Sequence, residues 1–369
     1  MAFVVELSAA IFMDHKVSRT PIQGMVLDSL RGFAALAVLI SHADQNRFVS
    51  LDILSVGEVK GFIGALGVGL FFILSGYLIW TSAKKILPQQ GGLWVYVVHR
   101  ATRLMPLYYV NLLAAAILIP ALGSHFVPEV SFETIWRHLT FTQSLAPSVS
   151  RALNPVLWSL THEMLFYAIV PILFVIMQRT RLEWLILVAM LSMFPTLQKY
   201  ASVFSPFFQN FYLFVIGISA AERIKQPLSP WAALATVLGF AFGVQAGLLD
   251  TSNRIAMGVA VVMFLCAFAV RSLSGTLAGA ALRPMALVGA VSYSLYIWHY
   301  LLLNVMSFHM QSIFSALEAV GLQLIWFNEF LRGIFTICIA VTVATISYWL
   351  FEKPSMGSLR RQLLKARGV

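Results

Sequence analysis

Arg31 and His42 stand eleven residues apart in the apolar stretch LDSLRGFAALAVLISH. In an α-helix eleven residues rise about 16 Å and turn about 20° past three full turns. The two side chains therefore share one face. Between them on that face lie Ala34, Ala35 and Val38, small enough to let a ligand pass. An imidazole there can serve as a general base, and a guanidinium can hold an oxyanion. The plainer alternative is that each cation snorkels to its nearer membrane surface. A shared stripe weakens that alternative.

Glu163 lies in NPVLWSLTHEMLFY, nine residues beyond Asn154 and so roughly 14 Å deep along a second helix. A carboxylate that meets an imidazole fixes its tautomer and raises its basicity, so Glu163 is expected to orient His42. Trp158 and Ser159 sit one turn before Glu163, and Phe166 and Tyr167 one turn after it. His162 points about 100° away and reads as structural. Arg100 and Arg103, at i and i+3 in VHRATRLMPLYY, are placed just before another apolar stretch. Two guanidiniums one turn apart can clamp phosphate oxygens, although basic residues there also serve as plain topology anchors.

Two further stretches are unusual for their polar content. SYSLYIWHYLLLN crowds Ser292, Tyr293, Ser294, Tyr296, Trp298, His299 and Asn304 into one segment, which suggests a hydrated cavity. Tyr296 and His299 fall on one face. GVGLFFILSGYLIW carries Gly67, Gly69, Ser75 and Gly76, which read first as residues of close helix packing. Asp28, Glu183, Glu222, Arg271 and Glu352 lie near the ends of apolar stretches and read as interfacial anchors.

The elements that must position these groups follow from composition. Of 369 residues 59% are apolar and 11% charged, with a net charge of +10. Soluble domains carry about 25% charged residues, so this chain cannot coat a soluble surface. The fold expected is an all-α polytopic membrane bundle of ten transmembrane helices: 23–43, 62–82, 104–122, 154–177, 183–198, 204–221, 231–249, 255–272, 285–308 and 331–351. With both termini cytoplasmic, 17 of the 25 basic residues fall in inside segments and 7 in outside ones. That bias obeys the positive-inside rule and leaves only Arg31 unassigned. The domain plan is a cytoplasmic arm (1–22), a transmembrane domain (23–352) and a basic cytoplasmic tail (353–369). Within 131–145, Phe132, Ile135, Trp136 and Leu139 recur at helical spacing. They suit a helix lying in the outer interface, or equally a lid packed on the bundle.

Several classes drop out. No basic stretch is interleaved with aromatics, so no nucleic-acid partner is expected. No zinc spacing, phosphate-binding glycine loop or Gly-x-Ser-x-Gly elbow occurs, so no metal is expected. Cys266 and Cys338 read as buried small hydrophobes. No internal repeat and no signal peptide is evident, and Met13 or Met25 are alternative starts.

Taken in order, these segments resemble the integral-membrane acyltransferase-three family, over about residues 25–354. LDSLRGFAALAVLISH looks like its first helix, carrying Arg31 and His42. GVGLFFILSGYLI looks like its second, around Ser75 and Gly76. HRATRLMPLYY resembles an Arg-Arg-x-x-Arg-Leu-x-Pro segment, with His99 at the first Arg. NPVLWSLTHEMLFY resembles a Trp-Ser-Leu-x-x-Glu-Glu-x-Phe-Tyr segment, with Met164 at the second acid. SYSLYIWH and the final FEKP also match. The family O-acylates sugars of O-antigen, exopolysaccharide, peptidoglycan and nodulation factors, and some macrolides.

The resemblance implies an O-acyltransferase, with acetyl as the expected group, of the bacterial inner membrane. The co-substrate would be acetyl-CoA or another acyl-CoA from the cytoplasm. The acceptor would be a glycan or lipid-linked sugar hydroxyl on the outer side, of the exopolysaccharide or lipopolysaccharide kind. His42, Glu163 and Arg31 are the expected catalytic residues. Arg100, Arg103, Arg31 and Ser75 are expected to hold the donor, and Trp158, Tyr167, Tyr296 and His299 the acceptor. Membrane lipids are expected partners, and a homo-oligomer is left open. A covalent acyl-His42 intermediate stands beside direct transfer. A glycan or solute transporter, or a scaffold without catalysis, are the alternative classes.

Overall fold

The computed structural model describes residues 21–45, 48, 59–121, 131–146, 148–179, 205–223, 258–266, 276–322 and 328–367. Every regular element among the described residues is helical. In chain order they include α1 (Pro21–Gln45), α2 (Val59–Ile86), α3 (Gly92–Ala121), α4 (Phe132–Leu139), α5 (Trp158–Met177) and α6 (Ser205–Arg223). There follow α7 (Thr276–Ala290), α8 (Ser292–Phe308), α9 (Met310–Ala319) and α10 (Glu329–Ser347). After α10 the helix widens into π-type turns at Tyr348–Glu352 and Ser355–Leu359, then ends in α11 (Arg360–Lys365).

Five helical stretches among the described residues are long and apolar enough to cross a membrane: Gly24–Asp44, Gly61–Ile86, Gly92–Pro120, Pro155–Met177 and Phe330–Lys365. A sixth arises if α7 and α8, bent by 72° at their junction, count as one span. Backbone groups in hydrocarbon must be satisfied within the segment, which is why such apolar runs fold as helix. These stretches coincide with the expected spans 23–43, 62–82, 104–122, 154–177, 285–308 and 331–351. The expected span 204–221 falls on α6, and 258–266 is the described part of 255–272. The segments 183–198, 231–249 and 1–20 lie outside the described residues.

Two boundaries shift with consequences. The third stretch begins at Gly92, so Arg100 and Arg103 sit inside α3 rather than ahead of it. The last stretch runs on through Lys365, and its end is packed rather than free. Arg360 Nε donates to Thr102 Oγ1 at 3.2 Å, and Arg367 lies 4.7 Å from the Trp94 ring. Cys266 and Cys338 are exposed on the bundle surface, not buried.

Small residues bring the helices together. A Cβ on Gly289 of α7 would collide with the Asp28 carbonyl of α1, and one on Gly76 of α2 with the Phe214 backbone of α6. Polar pins fix the register elsewhere. Asn154 donates to Asn111 Oδ1 at 2.9 Å and to the Ile297 carbonyl at 3.1 Å. Asn111 donates to the same carbonyl at 3.0 Å. All of these groups are buried, so the lost water bonds are replaced within the protein. The result locks α3, the entry to α5, and α8 together.

Helix α4 is amphipathic with its apolar side outward. Thr134 and His138 are buried, while Phe132, Ile135, Trp136 and Leu139 are exposed. Tyr108 and Tyr109 of α3 donate to the carbonyls of His138 and Leu139 at 2.8 and 3.0 Å. Burial pushes the His138 pKa down, against hydrogen bonds to the backbone of Thr134 and Ala152 that pull it up.

Candidate active site

A cavity of about 200 Å³ opens where α1, α2, α3, α5 and α8 converge. Sites for drug-sized ligands span about 300–1,000 Å³. This one suits a slender chain or an acyl end, not a whole nucleotide. Its wall holds Arg31, Ser75, Arg100, Arg103, Glu163, Tyr167 and Tyr296. Six of the residues expected from sequence to hold donor or acceptor thus meet around one space, together with Glu163 from the expected catalytic set.

The charges are balanced. Arg31 lies 3.9 Å from Asp28 one turn earlier, with both side chains largely buried. It also feels the Glu352 and Glu163 carboxylates and the Arg103 guanidinium. Arg103 is attracted chiefly by Glu352, then by Glu163 and Asp28, and its Nη1 lies 3.8 Å from Met356 Sδ. Guanidiniums in a dry interior require such partners, since an unpaired buried charge costs several kcal/mol.

Arg100 differs. Its Nη2 donates to Ser82 Oγ at 2.7 Å, and its guanidinium lies 5.5 and 5.7 Å from the Tyr96 and Tyr167 rings. Its Nε is buried without a hydrogen-bond partner among the described residues. A buried donor left unmade costs about 1–3 kcal/mol, which a bound oxyanion can relieve.

Glu163 accepts from Tyr167 Oη at 2.5 Å and from Ser75 Oγ at 3.5 Å. It belongs to the cavity, and its hydrogen bonds do not reach His42. The expected orientation of His42 by Glu163 is therefore absent from this structure. His42 pairs instead with His299: His42 Nδ1 lies 3.1 Å from His299 Nε2 and 3.0 Å from the Val38 carbonyl. The two rings are 5.1 Å apart, and Tyr300 meets His42 edge-on at 5.5 Å. Neither histidine is in the cavity wall. Tyr296 joins the two places. Its ring lines the cavity, its hydroxyl meets Ser159 Oγ at 2.7 Å, and its carbonyl lies 2.6 Å from His299 Nδ1. Of the two cations on α1, His42 meets His299 of α8, whereas Arg31 lines the cavity beside Asp28.

Trp158 stands apart from the cavity wall, its ring against Phe72 and edge-on to His162. His162 is fully buried among Phe72, Trp158 and Phe207. Its structural reading agrees with that packing.

From sequence, Tyr293 counts among the polar groups that suggest a cavity but has no assigned role, and Asp28 and Glu352 read as anchors. Asp28 lines the cavity, and Tyr293 closes it while donating to the Leu104 carbonyl at 2.7 Å. Glu352 is not an interfacial anchor. It is 2% exposed, and Ser294 Oγ donates to it at 2.9 Å. It lies in a π-type turn, and the FEKP segment noted in the sequence contains it. Among the described residues no cluster of side chains suits a metal ion.

The comparisons with known proteins give the family. Residues 26–349 match the family described as an acyltransferase domain. Nodulation protein 10 of Rhizobium leguminosarum bv. viciae is 25% identical over 92% of this chain and 95% of its own. The exopolysaccharide production protein ExoZ of Rhizobium meliloti is 32% identical over 29% of this chain and 33% of its own. The O-acetyltransferase OatA of Staphylococcus aureus is 24% identical over 77% of this chain and 51% of its own. No solved structure gives a significant match. With a multi-pass helical body and a match over most of its length, the chain belongs to this membrane acyltransferase family.

Proposed function

We propose that the chain moves an acyl group, acetyl in the simplest case, from cytoplasmic acyl-CoA to a sugar hydroxyl of an exported or cell-surface glycan. Its termini face the cytoplasm, and the membrane is the bacterial inner membrane. The observation that carries this reading is the cavity shared by three guanidiniums and a hydroxyl-rich wall. The size of the cavity supports entry of the pantetheine arm and acyl end, with the nucleotide outside.

Arg100 is the guanidinium best suited to a donor oxyanion, because a hydroxyl and two rings, not a carboxylate, occupy it. Arg103 and Arg31 supply field from behind, held by Glu352, Glu163 and Asp28. Ser75, Tyr167 and Tyr296 line the space for the thioester, and a hydroxyl that turns its proton from its present acceptor, Glu163 or the Val156 carbonyl, offsets charge on the developing oxyanion. His42 takes the acceptor's hydroxyl proton. The freed oxygen bonds to the thioester carbon, the C–S bond breaks, and the leaving thiolate recovers the proton from the imidazolium. Products are the sugar ester and free CoA thiol.

The relatives named for exopolysaccharide and nodulation support a glycan-type acceptor. The test is chemical analysis of surface glycans from a host with and without the chain. Base-labile esters that appear only with the chain are expected. Unchanged glycans, with solute flux in their place, would favour transport.

A further inference from the structure

We propose that His299 is a positioning residue that fixes the tautomer of His42, so that His42 presents a basic Nε2. The proposal rests on the reading of His42 as proton acceptor.

A carbonyl oxygen only accepts hydrogen bonds. His299 Nδ1 lies 2.6 Å from the Tyr296 carbonyl, so that nitrogen carries the proton. Neutral His299 then bears a lone pair at Nε2. His299 is 1% exposed, so water does not satisfy that lone pair. The atom facing it is His42 Nδ1, at 3.1 Å. The Val38 carbonyl lies 3.0 Å from the same His42 Nδ1. A lone pair on His42 Nδ1 would face two acceptors at once. A proton there serves both, in a three-centre bond. His42 is therefore the Nδ1–H tautomer, and its lone pair resides on Nε2. The edge contact with Tyr300 holds the ring plane.

The arrangement does what a carboxylate does for a catalytic imidazole elsewhere, but with a neutral acceptor. In an apolar bundle that difference matters. A carboxylate beside His42 would need its own desolvation offset, such as Ser294 and Arg103 supply to buried Glu352. A neutral imidazole selects the tautomer without a second buried charge. The backbone carbonyl of Tyr296, whose ring lines the cavity, fixes His299 in turn. The order of the base is thus tied to the wall where the thioester would lie.

The test compares His299→Gln, His299→Phe and His42→Ala in the full-length protein. Gln places an amide oxygen near the site of Nε2 and can accept from His42. Phe fills the space and cannot. With acetyl-CoA as donor, His299→Gln should keep kcat within about threefold, while His299→Phe should lower it on the order of 10²-fold with the donor KM unchanged. The second readout is nitrogen-15 NMR of histidine-labelled protein in lipid. Wild type and His299→Gln should show His42 as a single Nδ1–H tautomer, and His299→Phe a mixture. Wild-type kcat and an unchanged His42 signal in His299→Phe would overturn the proposal. Full turnover in His42→Ala would instead remove the base reading, and the NMR result would then judge the tautomer on its own.

Discussion

The Tyr167 hydroxyl donates to the Glu163 carboxylate at 2.5 Å, one turn away on the same helix. The pair faces the arginine cavity, and Tyr167 also offers its ring to Arg100 at 5.7 Å. One side chain therefore couples the carboxylate to the guanidinium assigned to the donor. Replacing Glu163 by Gln keeps the shape and removes the charge. Turnover should fall about tenfold or more, with lower thermal stability in detergent, since the guanidiniums lose a counter-charge. Steady-state rates and a melting curve on the same sample check both effects.

Arg100 should govern donor affinity. Arg100→Ala is expected to raise the KM for acetyl-CoA by about tenfold, or ~1.4 kcal/mol, with a smaller effect on kcat. Arg100→Lys should not restore it, because an ammonium cannot span Ser82, two rings and an oxyanion as a planar fork does. Isothermal titration with free CoA gives the same ranking without turnover.

Glu352 should matter for folding as much as for activity. Glu352→Ala leaves Arg103 without its chief counter-charge and should cost about 3–5 kcal/mol. Ser294→Ala, which removes one donor to that carboxylate, should cost nearer 1 kcal/mol. Thermal unfolding of both variants in the same detergent tests the ranking.

Acidification should loosen helix α4. Burial holds the His138 pKa below that of the unfolded chain. The folded state then binds fewer protons, so stability is present above the unfolded pKa of about 6.5 and is lost as pH falls below it. Hydrogen exchange on 131–142 should quicken below about pH 6. A His138→Gln variant should lose that dependence.

Much of this could be read from residue types, and the failures have a pattern. Arg31 and His42 were legible because charge is scarce and helical periodicity puts them on one face. Tyr167 and Tyr296 were legible as polar groups in otherwise apolar stretches. The partner of His42 was not. Depth along two helices cannot say which neighbour faces an imidazole, and here it is His299 of α8. Glu352 was misread because hydropathy ends the last span near 351, whereas the helix continues through π-type turns and folds its acid inward. Helix α4 was legible as amphipathic. That its apolar side faces outward depends on the tyrosines of α3, thirty residues earlier in the chain.

The most direct measurement is acyl transfer by the purified protein in proteoliposomes. Radiolabelled acetyl-CoA is supplied on one side, with host envelope glycan on the other. Wild type should release CoA thiol and place label in base-labile glycan ester in equal amounts, and His42→Ala should do neither while still folding. Equal label from wild type and His42→Ala, or thiol release with no ester formed, would contradict the account.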